Sequence, residues 1–262
     1  MDLSQVSRTA ILLLICRAVE AQKDPPEFDD PMAVLCLERL VSLASPEERQ
    51  WMIRKKRSYE GFHGRDARAG VRRNRAFDHA ADRFILNHPG CTVVNLACGF
   101  DTRFWRMANK SCNYVELDLP EVIRLKKEIL KEELSYQVIG SSVLDTSWID
   151  TVTAKGNADV LLIAEGLFMY FPKPEVIRLF KEFGERFTRS QLVLDMVPEQ
   201  WTKGVMKHLL RLHSRIDMGL DITYLSGIRD AHELEAYGKG LKVIDQEKGS
   251  AGPILTVSIN AA

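Results

Sequence analysis

The chain has 262 residues, 45% hydrophobic and 27% charged, which suits one α/β unit with a thick core and is too apolar for a disordered chain. Basic and acidic residues number 36 each, so nothing pulls the chain as a whole toward nucleic acid or an anionic membrane, and a charged partner has to be met by a local patch. Cys16, Cys36, Cys91, Cys98 and Cys112 form no paired framework, and no His or Cys pair has metal-ligand spacing, which fits reduced thiols in a cytoplasmic protein without structural zinc.

The first 88 residues read as helical throughout. An apolar run from Ala10 to Cys16 is far below the ~20 residues that span a bilayer, and Arg17 and Glu20 follow where a leader peptide would carry small residues. The run is expected as an amphipathic helix over 7–21. A turn at Asp24-Pro25-Pro26 and a helix over 31–43 come next, then a helix from Pro46 capped by Ser45. The stretch from Gly61 to Gly70 reads as a break. After it, Phe77, Ala80, Ala81, Phe84 and Ile85 place a helix over 72–86. Arg65, Arg68, Arg72, Arg73 and Arg75 lack the interleaved aromatics of an RNA surface and are expected on a solvated face, with one turned inward.

From Cys91 onward strands and helices alternate. Strands are expected over 92–96, 113–117, 135–139, 159–164 and 191–196, and helices over 120–133 and 174–187. The fourth strand is apolar throughout, as a strand buried on both faces should be. Two final strands, 241–246 and 254–259, lie too close together for an intervening helix. The expected fold is therefore α/β: a doubly wound, mostly parallel seven-stranded sheet with one antiparallel edge strand, preceded by N-terminal helices. Residues 1–88 would be a helical cap within the same domain, and 89–262 the ligand-binding α/β domain.

Open sheets of this kind bind ligands beyond the carboxyl ends of their strands. VVNLACGFDTR ends its strand in a tight turn where Gly99 lets the backbone approach a ligand. YVELD closes on acids about 20 residues later, where a carboxylate can accept both hydroxyls of a ribose. Glu116 and Asp118 both have the right period, and Asp118 stands at the strand end. DVLLIAEG puts Glu165 directly after a buried strand, where glutamate makes a poor helix cap and a better wall for the same crevice. The turn lacks G-x-G-x-x-G, which speaks against a nicotinamide-dependent dehydrogenase.

In order along the chain, VVNLACGFDTRFWRM, YVELDLPEVIRLKKEIL, SSVLDTSW and ADVLLIAEGLFMYFP resemble the leucine carboxyl methyltransferase family, including its bacterial branch of polyketide O-methyltransferases. SRTAILLLICRAVEAQ…FDDPMA and RRNRAFDHAADRFI are similar to that family's lead-in. The resemblance implies a class I methyltransferase fold, S-adenosylmethionine as cofactor, and transfer of its methyl group to oxygen. At matching positions it implies that Gly99 contacts the cofactor, Asp118 holds the ribose hydroxyls and Glu165 lines the pocket. Arg73 falls where the family aims an arginine at the cofactor carboxylate, with Arg72 and Arg75 as neighbours able to take that place. Arg17 falls at a second basic position on the N-terminal helix. Ser142, with Val143 beside it, falls at the adenine, where the family has an aspartate. Ala97, where glycine is usual, is the second departure.

The resemblance further implies a carboxylate acceptor on a small molecule or peptide terminus, already ionised at neutral pH and in need of no general base. A phenol would need one, and His208, His213 and His232 are its candidates, each equally readable as a surface residue. A degenerate fold that binds the cofactor without turnover is the alternative raised by Ala97 and Ser142.

Overall fold

The structure, a computed structural model, describes residues 5–154, 156 and 159–260; Ala158, which opens the last quoted segment, lies outside them. Four helices come first: α1 (Gln5–Ala21), α2 (Pro31–Leu43), α3 (Pro46–Glu60) and α4 (Gly64–Asn87). Asp30 accepts the Ala33 N–H at 3.0 Å and sets Pro31 in the first turn of α2. Ser45 and Glu48 cap each other's backbone N–H groups at the head of α3.

Two expectations are corrected here. The helix α4 begins at Gly64 and runs straight through Gly70, where a break was expected. A Cβ on Gly70 would lie 3.8 Å from the Cys16 Cβ, an ordinary contact, and its backbone is helical, so this glycine marks neither a chain reversal nor a steric need. The helix α1 is also not amphipathic. From Ile11 to Glu20 every residue except Leu13 is buried, because α2, α3 and α4 pack around it.

The remaining elements are β1 (Thr92–Leu96), α5 (Arg103–Arg106), β2 (Asn113–Asp118), α6 (Pro120–Leu130), β3 (Gln137–Gly140), α7 (Ser147–Thr153), β4 (Val160–Ala164), α8 (Lys173–Arg186), β5 (Ser190–Asp195), α9 (Gly204–His213), β6 (Leu241–Lys248) and β7 (Pro253–Ile259). They form the expected seven-stranded sheet, in the order β3-β2-β1-β4-β5-β7-β6. The first five strands pair in parallel, and β7 runs antiparallel to both β5 and β6.

Every residue of β1 and β4 is buried, which is why β4 reads as a continuous apolar run and β1 as one interrupted by Asn95, which donates to Asp101. Side-chain alternation sends Val94, Leu162 and Leu194 to one face, against Trp148 of α7 and Phe180 and Phe183 of α8. Val93, Leu161 and Val193 go to the other face, against Phe77 and Phe84 of α4. Successive strands step outward from β1 to β3 on one side and from β4 to β5 on the other. The β1–β4 boundary is therefore the switch point at which a crevice opens. Among the described residues, no helix is long and apolar enough to cross a membrane.

Candidate active site

A cavity of about 440 Å³ lies at this switch point, lined by Ala97–Asp101 after β1, Leu117–Leu119 at the end of β2, Ser141–Val143 after β3 and Glu165–Leu167 after β4. The helix α1 adds Thr9, Ala10, Leu13 and Arg17, and the segment following α9 adds Leu220–Thr223 and Leu225. Of the residues singled out from sequence, Arg17, Gly99, Asp118, Ser142, Val143 and Glu165 line the cavity. Arg73 lies directly behind its wall, with its guanidinium against Gly166. Arg72 and Arg75 turn outward to Glu27 instead, so Arg73 is the inward member of the arginine-rich stretch. His208, His213 and His232 do not line the cavity.

The turn after β1 holds Ala97 and Gly99 in the left-handed region, at φ 50° and 51°. A Cβ on Gly99 would come within 2.7 Å of the Ala10 Cβ, so glycine is required where α1 presses on the turn. Ala97 has no such release, and the left-handed geometry costs an alanine roughly 1–2 kcal/mol.

Asp118 braces that turn. Its Oδ2 accepts the Gly99 N–H at 2.6 Å, and its Oδ1 accepts the Leu119 N–H at 2.7 Å. Burial pushes its carboxyl pKa up, against the downward pull of those two backbone donors. A carboxylate has about four acceptor positions, so both oxygens keep capacity for a ligand. Glu116 is wholly buried and takes no part in the cavity wall. It pairs with Lys126 at 2.6 Å and accepts the Tyr136 hydroxyl at 3.1 Å. Ser142 Oγ accepts the Leu144 N–H at 3.2 Å, and the Val143 carbonyl accepts Trp148 Nε1 at 3.2 Å, which fixes the backbone of the third wall.

Glu165 is held by three donors: Arg73 Nε at 2.9 Å and Asn74 at 2.6 Å on one oxygen, and Arg103 Nη2 at 2.8 Å on the other. Arg103, fully buried on α5, also pairs with Asp78 at 2.7 Å and Asp101 at 3.4 Å. Arg106 reaches Asp78, Asp101 and Asp30, and Arg17 reaches Asp30 at 3.3 Å and the Phe100 carbonyl at 2.7 Å. Asp195, closing β5, accepts the Gly166 N–H at 2.6 Å and pairs with Arg73 at 3.4 Å. Arg103, Arg106, Asp30, Asp78, Asp101 and Asp195 were not singled out from the sequence. Four guanidiniums thus face five carboxylates in this network, and Asp118 adds a further acid to the cavity wall. Tyr170 lines the same space, and burial raises its phenol pKa, so it stays protonated as a hydrogen-bond donor.

With β7 reversed beside β5 and the crevice at the β1–β4 switch, the sheet has the class I methyltransferase arrangement, and the chain's family match and relatives make the protein an S-adenosylmethionine-dependent methyltransferase. It belongs to the leucine carboxyl methyltransferase family, whose profile matches residues 10–184, more than half of the chain. It is 27% identical over 258 residues to the tetracenomycin polyketide synthesis O-methyltransferase TcmP of Streptomyces glaucescens, covering 97% of this chain and 86% of that one. It is 24% identical to the S-adenosyl-L-methionine-dependent methyltransferase dpfgK of Gibberella zeae, over 92% of this chain and 81% of that one. In fold it is similar to the crystal structure of a candidate methyltransferase from Thermobifida fusca, with a TM-score of 0.56 at 14% identity, over 95% of this chain and 94% of that one.

Proposed function

We propose that the protein transfers the methyl group of S-adenosylmethionine to a carboxylate oxygen of a small molecule or peptide terminus, giving a methyl ester. One observation carries the reading: every acid lining the cavity is already engaged. Asp101 is held by Asn95, Arg103 and Arg106, Asp118 by two backbone N–H groups, Glu165 by three donors, and Asp221 by Arg211 and Arg215. Carboxylates in such pairs are poor acceptors for a phenolic proton, which leaves at about pH 10. An acceptor carboxylate, with a pKa near ~4, arrives ionised and asks the protein only for alignment. Kinship with a polyketide O-methyltransferase supports oxygen as the target.

The residues present fit the cofactor. Arg17 is buried and lines the cavity, a position from which a guanidinium can meet the carboxylate end of the cofactor, with its Nε backed by Asp30 at 3.3 Å. When bound, the cofactor supplies the activated methyl group. Arg17 and Arg73 would hold its amino-acid end, Asp118 its ribose and the Gly99 turn its approach to the backbone, with Ser142 and Val143 beside the adenine. Glu165 keeps Arg73 and Arg103 in place. Residues 1–88 would act as a cap belonging to the same domain, since α1 itself forms part of the cavity wall.

The test is a panel of carboxylate and phenol acceptors with methyl-labelled cofactor, followed by mild alkali. An ester releases labelled methanol and an ether does not. Label that survives alkali, or a hundredfold loss of turnover in His208→Ala, His213→Ala or His232→Ala at unchanged cofactor affinity, would replace the carboxylate reading with a phenol one.

A further inference from the structure

The helix α6 sends one buried cation under the glycine turn. Lys126 is 2% exposed, and its Nζ donates to Glu116 Oε2 at 2.6 Å, to the Asp101 carbonyl at 2.7 Å and to Cys98 Sγ at 3.9 Å. An ammonium has three donors, and these three acceptors occupy them all. Two of the acceptors belong to the turn after β1. Cys98 and Asp101 stand on either side of Gly99 and Phe100, and the Cys98 carbonyl accepts the Asp101 N–H at 2.9 Å to close the turn. Residues Cys98–Asp101 line the cavity, whereas Lys126 and Glu116 lie behind it.

Both acids of β2 therefore act on one turn. Glu116 and Asp118 are two residues apart and share a face of the strand. Asp118 Oδ2 holds the Gly99 N–H directly at 2.6 Å, and Glu116 holds the Asp101 carbonyl through Lys126. A buried ion pair is a poor source of stability, because the desolvation of both charges can exceed their attraction. Glu116 shows that cost. Its Oε2 accepts Lys126 and the Tyr136 hydroxyl, while its Oε1 accepts no hydrogen bond among the described residues. What the pair supplies and an apolar pair cannot is an anchored donor for the Asp101 carbonyl. The Asp101 carboxylate is held by Asn95, Arg103 and Arg106, so both polar ends of this residue are fixed before a ligand arrives.

We propose that Lys126 is a positioning residue for the cofactor. Through the Asp101 carbonyl and Cys98 it sets the shape of the turn that meets S-adenosylmethionine, and Glu116 anchors its ammonium. The assignment rests on the reading that this turn and Asp118 hold the cofactor.

The test separates fold stability from cofactor affinity, with S-adenosylmethionine titrated by calorimetry below the melting transition of each variant. Lys126→Met alone leaves Glu116 as an unpaired buried charge and should melt earlier than wild type. Combining it with Glu116→Gln removes that charge and keeps an acceptor for the Tyr136 hydroxyl, so melting should return to within about 4 °C of wild type. The double variant should nevertheless bind the cofactor at least about tenfold more weakly. Hydrogen exchange at the Asp101 N–H should quicken in it while β1 and β4 keep their protection. Glu116→Gln alone retains the ammonium on the Asp101 carbonyl and should bind within about threefold of wild type. Wild-type affinity in the double variant, or equal weakening in Glu116→Gln alone, would overturn the proposal. Asp118→Ala distinguishes the two ways of failing: if it too binds normally, the reading of the cofactor site has failed, and if it binds weakly, that reading stands and Lys126 only supports the fold.

Discussion

Arg103 and Glu165 meet at 2.8 Å behind the cavity, one from the short helix after the glycine turn and the other from the residue that follows β4. The same guanidinium holds Asp78, so one fully buried cation ties the α4 helix, the β1 turn and the β4 end into a single frame. Removing it would leave buried carboxylates short of a partner. Arg103→Met is therefore expected to cost about 3–5 kcal/mol in urea unfolding, well beyond the loss of an exposed ion pair. An unchanged unfolding midpoint would mean that the frame is not needed.

The contact between Gly99 and α1 predicts a coupled pair. Gly99→Ala adds a Cβ only 2.7 Å from that of Ala10 in a left-handed residue, so it should destabilise by more than the ~1–2 kcal/mol of backbone strain alone. Ala10→Gly should restore the steric part and leave the backbone part, a coupling readable in a double-mutant cycle. Ala97→Gly, which relieves strain at φ 50°, should instead stabilise by up to ~1 kcal/mol. A loss of stability there would show that the alanine methyl packs to advantage.

Cofactor affinity should respond to Asp118. Asp118→Ala removes the acceptor proposed for the ribose, each hydroxyl contact to a carboxylate being worth roughly 1.5–3 kcal/mol, and frees the Gly99 and Leu119 N–H groups that brace the turn. Calorimetry should show at least about a tenfold weaker binding of S-adenosylmethionine. Ser142→Asp should act the other way. An aspartate there could accept the Leu144 N–H as Ser142 does and still offer a charged oxygen to the adenine, so affinity should hold or tighten. A large loss in a folded Ser142→Asp would show that this wall does not meet the adenine.

Acid should attack the ion-pair frame in a predictable direction. Burial pushes the Asp101 carboxyl up, but Arg103, Arg106, Arg17 and Lys126 pull harder, and its pKa lies well below the usual aspartate value. A carboxyl depressed on folding contributes stability that is present above its unfolded value of about 3.9 and is lost as pH falls below that. Wild-type unfolding midpoints should therefore drop as pH falls below about 4, and Asp101→Asn should flatten that limb. Parallel acid limbs for the two proteins would remove Asp101 from the cause.

The sheet was legible because its central strands are buried on both faces, so β4, and β1 apart from Asn95, announce themselves as apolar runs. Gly99, Asp118 and Glu165 were legible for a related reason, as polar or small residues that end such runs. Arg103, Arg106, Asp78 and Asp30 follow no period, because each is buried by a partner distant in the chain. Gly70 misled in the opposite sense: glycine is a break signal in the local sequence, but here the packing of α4 against Cys16 and Leu13 of α1 carries the helix through it.

The excess of acids over guanidiniums around the cavity bears on the course of the proposed reaction. The cofactor enters as a cation and its demethylated form leaves without that charge, while an acceptor anion becomes a neutral ester. The transfer therefore annihilates a pair of opposite charges within the wall, and a medium that solvates separated ions poorly favours such a step over bulk water. A negative surround of this kind would favour the cationic donor over its uncharged product.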